Sequence, residues 1–218
     1  MKIDLTPDVI SYNILINGYC KSKMLDEAVD MFKEMQVRNL VPNTITYSSL
    51  IDGFCKFGKL SHVGDFICEM HDNGQPPDIT TYNILLDALC KRGHLDEAIS
   101  FYKQIVNRGM QPNVYTFTSL IDGLCKGNRV NYALRIFNVL LESHHYLDVH
   151  AYTAMISGLC KEGLFDEAMA LLEKMEENGC VPDFVTFEVI IRELFKRNEN
   201  DKARKLHLEM IARGLLKP

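Results

Sequence analysis

One stretch of the chain decides the fold: residues 79–113 read ITTYNILLDALCKRGHLDEAISFYKQIVNRGMQPN. Apolar side chains in its first half recur at the i, i+3, i+4 and i+7 spacing of one helix face, at Tyr82, Leu85, Leu86 and Leu89. A second stripe with helical spacing runs through Leu95, Ala98, Tyr102 and Ile105. Gly93 between the stripes can adopt the left-handed conformation that ends a helix, and Pro112 prevents continuation of the second helix. The stretch is therefore predicted to be a helical hairpin.

The hairpin pattern recurs along the chain with a period of 35 residues. Its clearest mark is a cysteine in each of five repeats, at Cys20, Cys55, Cys90, Cys125 and Cys160. Six repeats follow one another without insertions, at residues 9–43, 44–78, 79–113, 114–148, 149–183 and 184–218. Residues 1–8 are predicted to be the tail of a preceding repeat, because Pro7-Asp8 matches the Pro-Asn or Pro-Asp ends of later repeats. The chain is thus expected to belong to a longer array.

Neighbouring hairpins must stack, because a hairpin of this size cannot bury its apolar face alone. The predicted fold class is all-α, an α-solenoid of six 35-residue helix-turn-helix repeats. Close approach of helices is predicted at a column of small residues: Gly18, Gly53, Ala88, Gly123 and Gly158. The cysteines are predicted to be buried packing groups, since their spacing offers no local chelate. In the last repeat Glu193 replaces the small residue and charges are dense, which suits a polar-faced cap.

Composition argues against several classes of protein. The chain has 218 residues, of which 47% are hydrophobic and 24% charged, and its net charge of −5 is not that of a generally basic nucleic-acid binder. Its seven cysteines form no C-x-x-C pair, which argues against a disulfide framework or a zinc ribbon and fits a reducing compartment. No apolar stretch approaches the length of a membrane span, and Met1–Asp8 do not form a signal or transit peptide.

Known catalytic motifs are absent from the sequence. It contains no G-x-S-x-G, no H-E-x-x-H, no phosphate-cradling glycine loop and no deaminase-type H-x-E with C-x-x-C. We therefore predict no enzymatic activity, no cofactor and no metal. A loose cluster of His144, His145 and His150 is explained by a loop or groove location.

The strings within the repeats resemble a known family. The third repeat carries Tyr82-Asn83-Ile84-Leu85-Leu86-Asp87, Leu89-Cys90-Lys91, Leu95-Asp96-Glu97-Ala98 and Pro112-Asn113. Similar strings in other repeats are Gly158-Leu159-Cys160-Lys161-Glu162-Gly163 and Leu25-Asp26-Glu27-Ala28. All six repeats resemble the pentatricopeptide repeat (PPR) in its P class and are similar to plant restorer-of-fertility-like members. The resemblance implies a right-handed superhelix that binds single-stranded RNA, one base per repeat, in mitochondria or alternatively chloroplasts.

In that family the fifth and last residues of each repeat select the base. The matching pairs are Asn13 with Asn43, Ser48 with Asp78, Asn83 with Asn113, Thr118 with Asp148, and Thr153 with Asp183. The sixth repeat has Glu188 and Pro218, which match no usual pair. An asparagine amide suits a pyrimidine edge, a short hydroxyl leaves room for a purine, and an ionised aspartate accepts from guanine N1–H and N2–H₂. The resemblance implies the target 5′-Y-G-Y-G-G-N-3′ (Y a pyrimidine, N any base), with cytosine favoured at both pyrimidines.

The second residue of each repeat resembles the side chain that sandwiches bases in the family. These residues are Ile10, Ile45, Thr80, Tyr115, His150 and Val185. Tyr115 and His150 are able to stack on bases, which is a recognised way to hold single strands. The alternative interpretation is that the second residues pack between adjacent repeats.

A lysine follows each fifth residue by eight positions: Lys21, Lys56, Lys91, Lys126, Lys161 and Lys196. One interpretation is a row of cations that meet successive RNA phosphates, with a single-strand salt slope of about −4 if all six do so. The other is structural, because a lysine near a helix C-terminus interacts favourably with the macrodipole. Asp52, Asp87 and Asp122 are also placed for ordinary i,i+4 ion pairs. The resemblance favours phosphate contact.

Two other functions remain open. The first is a peptide-binding helical adaptor, like the 34-residue tetratricopeptide solenoids. The 35-residue period, the Pro-Asn or Pro-Asp ends, the lysines and the absence of Trp argue against it. The second is a scaffold whose solenoid ends self-associate, and we expect some end-to-end contact through the first hairpin. No membrane partner is expected.

Overall fold

The computed structural model describes residues 7–142 and 147–216. In this part of the chain the regular structure consists of twelve α-helices and a short 3-10 turn at Leu60–His62, and it contains no strand. Most of the predicted tail (residues 1–6), His144, His145 and Pro218 lie outside the described residues.

The helices come in pairs, and each pair falls within one 35-residue repeat. Their bounds are α1 Val9–Lys21, α2 Leu25–Val37, α3 Thr44–Lys56, α4 Val63–Asp72, α5 Ile79–Lys91, α6 Leu95–Asn107, α7 Val114–Lys126, α8 Val130–Glu142, α9 Val149–Glu162, α10 Phe165–Glu177, α11 Phe184–Lys196 and α12 Asn200–Ala212. Each odd-numbered helix begins at the first residue of a repeat.

The helices form two compact units. The first unit comprises Met1–Ala88 and Gln104–Gln111, and the second comprises Leu89–Lys103 and Pro112–Pro218. In the first unit α1 packs against both α2 and α3. In the second unit α9 packs against α7, α10 and α11. Within each unit, therefore, the first helix of a hairpin touches its own partner and the first helix of the next hairpin.

An Asn or Asp side chain begins each first helix at its N-cap. Asn43 Oδ1 accepts a hydrogen bond from the Thr46 backbone N–H (3.1 Å), one of the N–H groups that a helix leaves without an internal partner. The Thr46 hydroxyl accepts in return from the Asn43 backbone N–H (3.1 Å), which completes a capping box. The equivalent caps are Asp8, Asp78, Asn113, Asp148 and Asp183. The Asn or Asp that ends one repeat thus starts the first helix of the next.

Left-handed residues end the helices where the sequence predicts them. Gly93, which follows α5, has a φ of +77°, a conformation that glycine adopts without steric cost. A glycine or asparagine at the end of other helices also has a positive φ: Asn39, Gly58, Gly74, Gly109, Asn128, Gly163 and Gly179. The first repeat has Lys23 at this place, with a φ of +66°, and the sequence analysis did not single it out.

The cysteine column packs against the column of small residues. The predicted burial is confirmed at Cys20, Cys55, Cys90, Cys125 and Cys160. A Cβ atom on Gly53 would lie 2.7 Å from Cys20 Sγ, well inside van der Waals contact. Gly18 lies in the same column, but a Cβ there would have nothing within 4 Å. The close helix approach predicted for the small residues therefore exists at Gly53 and not at Gly18.

A tyrosine near the start of a first helix joins the two ends of its hairpin. The Tyr47 hydroxyl accepts from Asn73 Nδ2 (2.6 Å), which lies just after α4 and 26 residues further on. Equivalent pairs are Tyr82 with Arg108 and Tyr152 with Asn178. In the last repeat Phe187 replaces the tyrosine, and the Arg213 guanidinium lies over its ring, 5.2 Å from the centroid. The contact thus holds the end of the second helix against the start of the first.

Candidate functional site

In the first repeat, the fifth and last residues are hydrogen-bonded to each other. Asn13 Nδ2 donates to Asn43 Oδ1 at 3.3 Å, although 30 residues separate them in the chain. Asn13 Oδ1 accepts from the Thr46 hydroxyl at 2.6 Å. Asn13 is 9% exposed and Asn43 is half-buried, and the pair lies at the start of α3.

In the second and fifth repeats, a threonine bridges the fifth and last residues. Ser48 Oγ lies 3.0 Å from Thr81 Oγ1, and Thr81 Oγ1 donates to Asp78 Oδ1 at 3.1 Å. The fifth repeat has the same arrangement, with Thr153 at 2.8 Å from Thr186, which lies 2.9 Å from Asp183 Oδ1. Each site is a chain of three oxygen atoms that runs from α3 or α9 to the cap of the next first helix.

The fourth repeat lacks the bridging hydroxyl because Ala151 occupies the equivalent position. The Thr118 hydroxyl reaches Asp148 Oδ1 directly, at 3.3 Å. It also lies 2.8 Å from the Val114 carbonyl oxygen on its own helix. The two predicted base-selecting residues of this repeat therefore lie within hydrogen-bond distance of each other, but no threonine bridges them.

The two remaining predicted pairs belong to the third and sixth repeats. Asn83 is buried, at 4% exposed, and Asn113 is an exposed cap of α7; the two residues belong to different units. Glu188 is exposed on α11, and its predicted partner Pro218 lies outside the described residues.

Sequence analysis missed the threonine at the third position of the repeats. Thr46, Thr81, Thr116 and Thr186 are fully buried. The signal that could have found them is their spacing, because each follows the capping Asn or Asp by three residues, as the side chain of a capping box does. Their contacts with a fifth residue 33 positions earlier carry no sequence signal of their own.

The second residues of all six repeats are exposed: Ile10, Ile45, Thr80, Tyr115, His150 and Val185. Ile10 and Ile45 are 66% and 63% exposed, which argues against the alternative that these side chains pack between repeats. His150 Nδ1 lies 3.8 Å from Asp148 Oδ2. In the fifth repeat, the second residue is thus next to the last residue of the repeat before it.

All six lysines of the column are exposed at the ends of first helices. Ion pairs on their own helix are formed by Lys56 with Asp52 (2.5 Å), Lys126 with Asp122 (2.6 Å) and Lys196 with Glu193 (2.6 Å). Lys21 and Lys161 have Asn17 and Ser157 four residues earlier and make no ion pair in the described part of the chain. An ion pair on the same helix therefore explains Lys56, Lys126 and Lys196, whereas the charges of Lys21 and Lys161 are available to an anion.

Capping also determines how much of each carboxylate is left for a ligand. Hydrogen bonds from the Ser11 backbone N–H and hydroxyl lower the pKa of Asp8 below its ordinary value. At Asp78 the helix uses Oδ1 alone, because both the Thr81 backbone N–H (2.9 Å) and the Thr81 hydroxyl bind that oxygen. Oδ2 of the exposed Asp78 thus remains an acceptor that a ligand can use.

The described residues include no group of three or more His, Cys, Asp or Glu that could hold a metal ion. In residues 7–142 and 147–216, no helix combines the length and apolar character needed to cross a bilayer.

These hairpins, each with a polar cluster at the start of its first helix, define a helical-repeat protein. Residues 7–56, 50–91, 77–126 and 147–196 match the sequence model of the PPR repeat family, and residues 115–145 and 185–215 match that of the PPR repeat. The chain belongs to the PPR repeat family, which confirms the resemblance drawn from its sequence. No curated protein sequence matches it.

Solved PPR structures share the fold. The pentatricopeptide repeat protein PPR10 from maize is 23% identical, with a TM-score of 0.74 over 94% of this chain and 30% of that chain. PPR10 in complex with an 18-nt psaJ RNA element is 21% identical, with a TM-score of 0.67 over 99% of this chain and 35% of that one. The PPR domain of Arabidopsis thaliana protein-only RNase P 1, in complex with tRNA, is 16% identical, with a TM-score of 0.62 over 82% and 94% of the two chains. The predicted fold class, an all-α helical-repeat solenoid of about six repeats, is confirmed, and the chain spans about a third of the length of PPR10.

Proposed function

We propose that the chain binds single-stranded RNA and that the fifth and last residues of each repeat together read one base. One observation carries the proposal: side chains 30 residues apart, Asn13 with Asn43 and Thr118 with Asp148, are hydrogen-bonded pairs. A single base edge is able to touch both members of such a pair. The similarity to PPR10, whose structure was solved with an RNA element, supports the same class of ligand.

Guanine is the base that the second, fourth and fifth repeats suit. Each of these repeats pairs a short hydroxyl with an aspartate: Ser48 with Asp78, Thr118 with Asp148, and Thr153 with Asp183. An ionised carboxylate accepts from the adjacent N1–H and N2–H₂ donors of guanine, whereas adenine N1 is itself an acceptor and would be repelled. The short hydroxyl leaves room for the larger purine ring.

Pyrimidines suit the first and third repeats, which have Asn at both positions. Asn13 Nδ2 has two hydrogens, of which Asn43 uses one. The second hydrogen is able to reach an acceptor on a pyrimidine edge. An asparagine side chain is longer than a serine side chain and leaves less room for a purine. The third repeat has the same two residue types, Asn83 and Asn113, and cytosine is the pyrimidine we favour.

Stacking and phosphate contacts complete the proposed interface. The exposed Tyr115 and His150 offer flat faces on which bases stack, while Ile10, Ile45, Thr80 and Val185 offer smaller contacts. Lys21 and Lys161 contact phosphates with their full charge. Lys56, Lys126 and Lys196 contribute less because an adjacent carboxylate already neutralises each of them.

The proposed target is 5′-Y-G-Y-G-G-N-3′, read from the N-terminal to the C-terminal repeat. The protein would act by occupying this target, without catalysis, and so affect the processing, stability or translation of an organellar transcript. The uninterrupted 35-residue spacing supports membership of the P class, near restorer-of-fertility-like proteins. A mitochondrial location, or alternatively a chloroplast one, is proposed on that resemblance.

The test is binding to short RNAs that contain 5′-UGUGGA-3′, a version of the target that does not self-pair. We expect the unaltered chain to favour guanine over adenine at the fourth base by about 5- to 150-fold, the range of a mismatch in protein–DNA complexes. Asp148→Asn should shift the fourth base toward adenine and leave the fifth base unchanged. Asp183→Asn is the matched control, since it should shift the fifth base and leave the fourth unchanged.

Two results would contradict this proposal in different ways. If both variants bind every RNA as the unaltered chain does, the assignment of bases to repeats is wrong. If the unaltered chain binds no single-stranded RNA, the function itself is wrong, and a peptide-binding adaptor becomes the better hypothesis. Selection from a random RNA pool would report both the class of ligand and the register.

A further inference from the structure

The buried threonine at the third position of a repeat touches both base-reading residues of the repeat before it. Thr81 is fully buried and lies on α5, yet its hydroxyl contacts Ser48 on α3 and the cap Asp78. Because Thr81 has no exposed surface, it cannot itself touch a base. Its effect on a ligand has to pass through the two residues that it holds.

Counting hydrogens gives the direction of each bond in this cluster. A hydroxyl has one hydrogen to donate, and an ionised carboxylate has none. The ionised Asp78 carboxylate is the stronger of the two acceptors near the Thr81 hydrogen (3.1 Å), and when Thr81 donates to it, Ser48 is the donor in the 3.0 Å contact between Ser48 and Thr81. The Ser48 hydrogen then points into the protein, and its lone pairs are left for the base.

The fifth repeat repeats this arrangement with a different fifth residue. Thr186 is fully buried and donates to Asp183 Oδ1 at 2.9 Å. With the Thr186 hydrogen on this carboxylate, Thr153 is the donor across its 2.8 Å contact with Thr186. Thr153 is thereby also turned so that it offers a base only lone pairs, which complement the N–H donors of guanine.

In the first repeat the threonine fixes an amide rather than a hydroxyl. Thr46 accepts from the Asn43 backbone N–H and donates to Asn13 Oδ1 at 2.6 Å. That bond places Asn13 Nδ2 on the side of Asn43 Oδ1, where it donates at 3.3 Å. A flipped Asn13 amide would set two oxygens against each other, so Thr46 determines which edge of Asn13 a base meets.

The fourth repeat is a natural exception. Ala151 replaces the threonine, and the Thr118 hydroxyl has two acceptors, the Val114 carbonyl at 2.8 Å and Asp148 Oδ1 at 3.3 Å. Its one hydrogen serves only one of them at a time. In both cases the hydrogen stays within the protein, but the direction of the Thr118 hydroxyl differs between them, so its lone pairs are less fixed in direction than those of Ser48 or Thr153.

We infer that the third residue of a repeat is a positioning residue for the base read by the repeat before it. Its buried hydroxyl sets whether the fifth residue presents a donor or an acceptor, and so sharpens the choice of base. This inference rests on the proposed function. It implies sharper discrimination at the second and fifth bases than at the fourth.

The test compares three variants, Thr81→Val, Thr81→Ser and Ala151→Thr, with the unaltered chain. Thr81→Val keeps the shape of the side chain and removes the hydroxyl. We expect it to lower the preference for guanine over adenine at the second base by about tenfold, the effect of one hydrogen bond, and to leave the fourth and fifth bases unchanged. Thr81→Ser restores the hydroxyl and should restore the preference. Ala151→Thr should raise the preference at the fourth base.

The outcomes separate a positioning role from a structural one. If Thr81→Val weakens binding to all RNAs equally, the threonine only supports the Asp78 cap, and the inference is overturned. An unchanged preference at the second base in Thr81→Val, or at the fourth in Ala151→Thr, also overturns it. If Thr81→Val does not fold, Ala151→Thr still decides the matter. A lack of any base preference in the unaltered chain would be the failure of the proposed function instead.

Discussion

The Sγ atom of Cys125 lies so close to Gly158 that a Cβ atom on Gly158 would be only 2.6 Å from it. Gly158 belongs to α9 and Cys125 to α7, the first helices of consecutive repeats. Burial raises the pKa of the Cys125 thiol to about 12, so it packs there as a neutral group. The 35-residue spacing of the cysteines therefore corresponds to close contacts between the first helices of consecutive repeats.

Gly158→Ala should destabilise the protein. The new methyl group has to displace the Cys125 side chain, and overpacking of this kind costs about 1–3 kcal/mol. Gly18→Ala is the matched control in the same column, where nothing lies within 4 Å of the added Cβ. It should stabilise α1 by about 0.5–1 kcal/mol. Urea denaturation measures both values, and equal effects at the two sites would contradict the contact.

Tyr152→Phe should destabilise the fifth hairpin. The variant removes the bond that Asn178 Nδ2 donates to the Tyr152 hydroxyl at 2.8 Å, at a net cost of about 0.5–1.5 kcal/mol. Tyr115→Phe is the control, because the Tyr115 side chain is exposed. Thermal melts should separate the two variants, and an unchanged melting temperature for Tyr152→Phe would show that the bond contributes nothing.

Cys68 should react first with iodoacetamide at pH 8. It is the exposed cysteine, whereas the other six are buried. Burial also raises the pKa of the Cys20 thiol to about 11 and that of Cys160 to about 12, so both stay protonated and unreactive at pH 8. Peptide mass spectrometry after brief labelling checks the order. Labelling in urea should make all seven react, and early modification of Cys160 would be the contrary result.

Stability should fall as the pH rises from about 9 to about 12. The folded chain keeps the Cys125 and Cys160 protons to about pH 12, whereas an unfolded thiol loses its proton near pH 8.5. In that window the folded state binds more protons, so the free energy of unfolding decreases with pH. In Cys160→Ala the free energy of unfolding should decrease less over this pH range, because the contribution of one thiol is removed. Denaturation curves at pH 7 and pH 10 measure this decrease in both proteins. An equal decrease in Cys160→Ala and the unaltered chain would contradict the prediction.

Lys161→Ala should weaken RNA binding more than Lys126→Ala does. Lys161 makes no ion pair in the described structure, whereas Lys126 lies 2.6 Å from Asp122. Removal of a full phosphate contact should reduce the salt slope of binding by about 0.7. The measurement is affinity against salt concentration for both variants. Equal salt slopes in Lys161→Ala and the unaltered chain would show that Lys161 does not contact a phosphate.

The period, the helix limits and the caps of this protein follow from its sequence. Asn43 begins a helix and Gly93 ends one because such signals act through backbone groups within three or four residues. The burial of Cys125 also follows, since a residue repeated at 35-residue intervals on an apolar face has to meet its neighbour. The base-selecting roles of the fifth and last residues stay predictions drawn from the family.

Tertiary structure decided which polar atoms meet. Thr46 could have been a helix cap and nothing more, but the stacking of α3 on α1 places its hydroxyl 2.6 Å from Asn13. The two residues are 33 positions apart, so no local pattern specifies the bond. A hydroxyl group is able to hydrogen-bond with many kinds of partner, and only the packing of neighbouring hairpins determines which partner lies within reach.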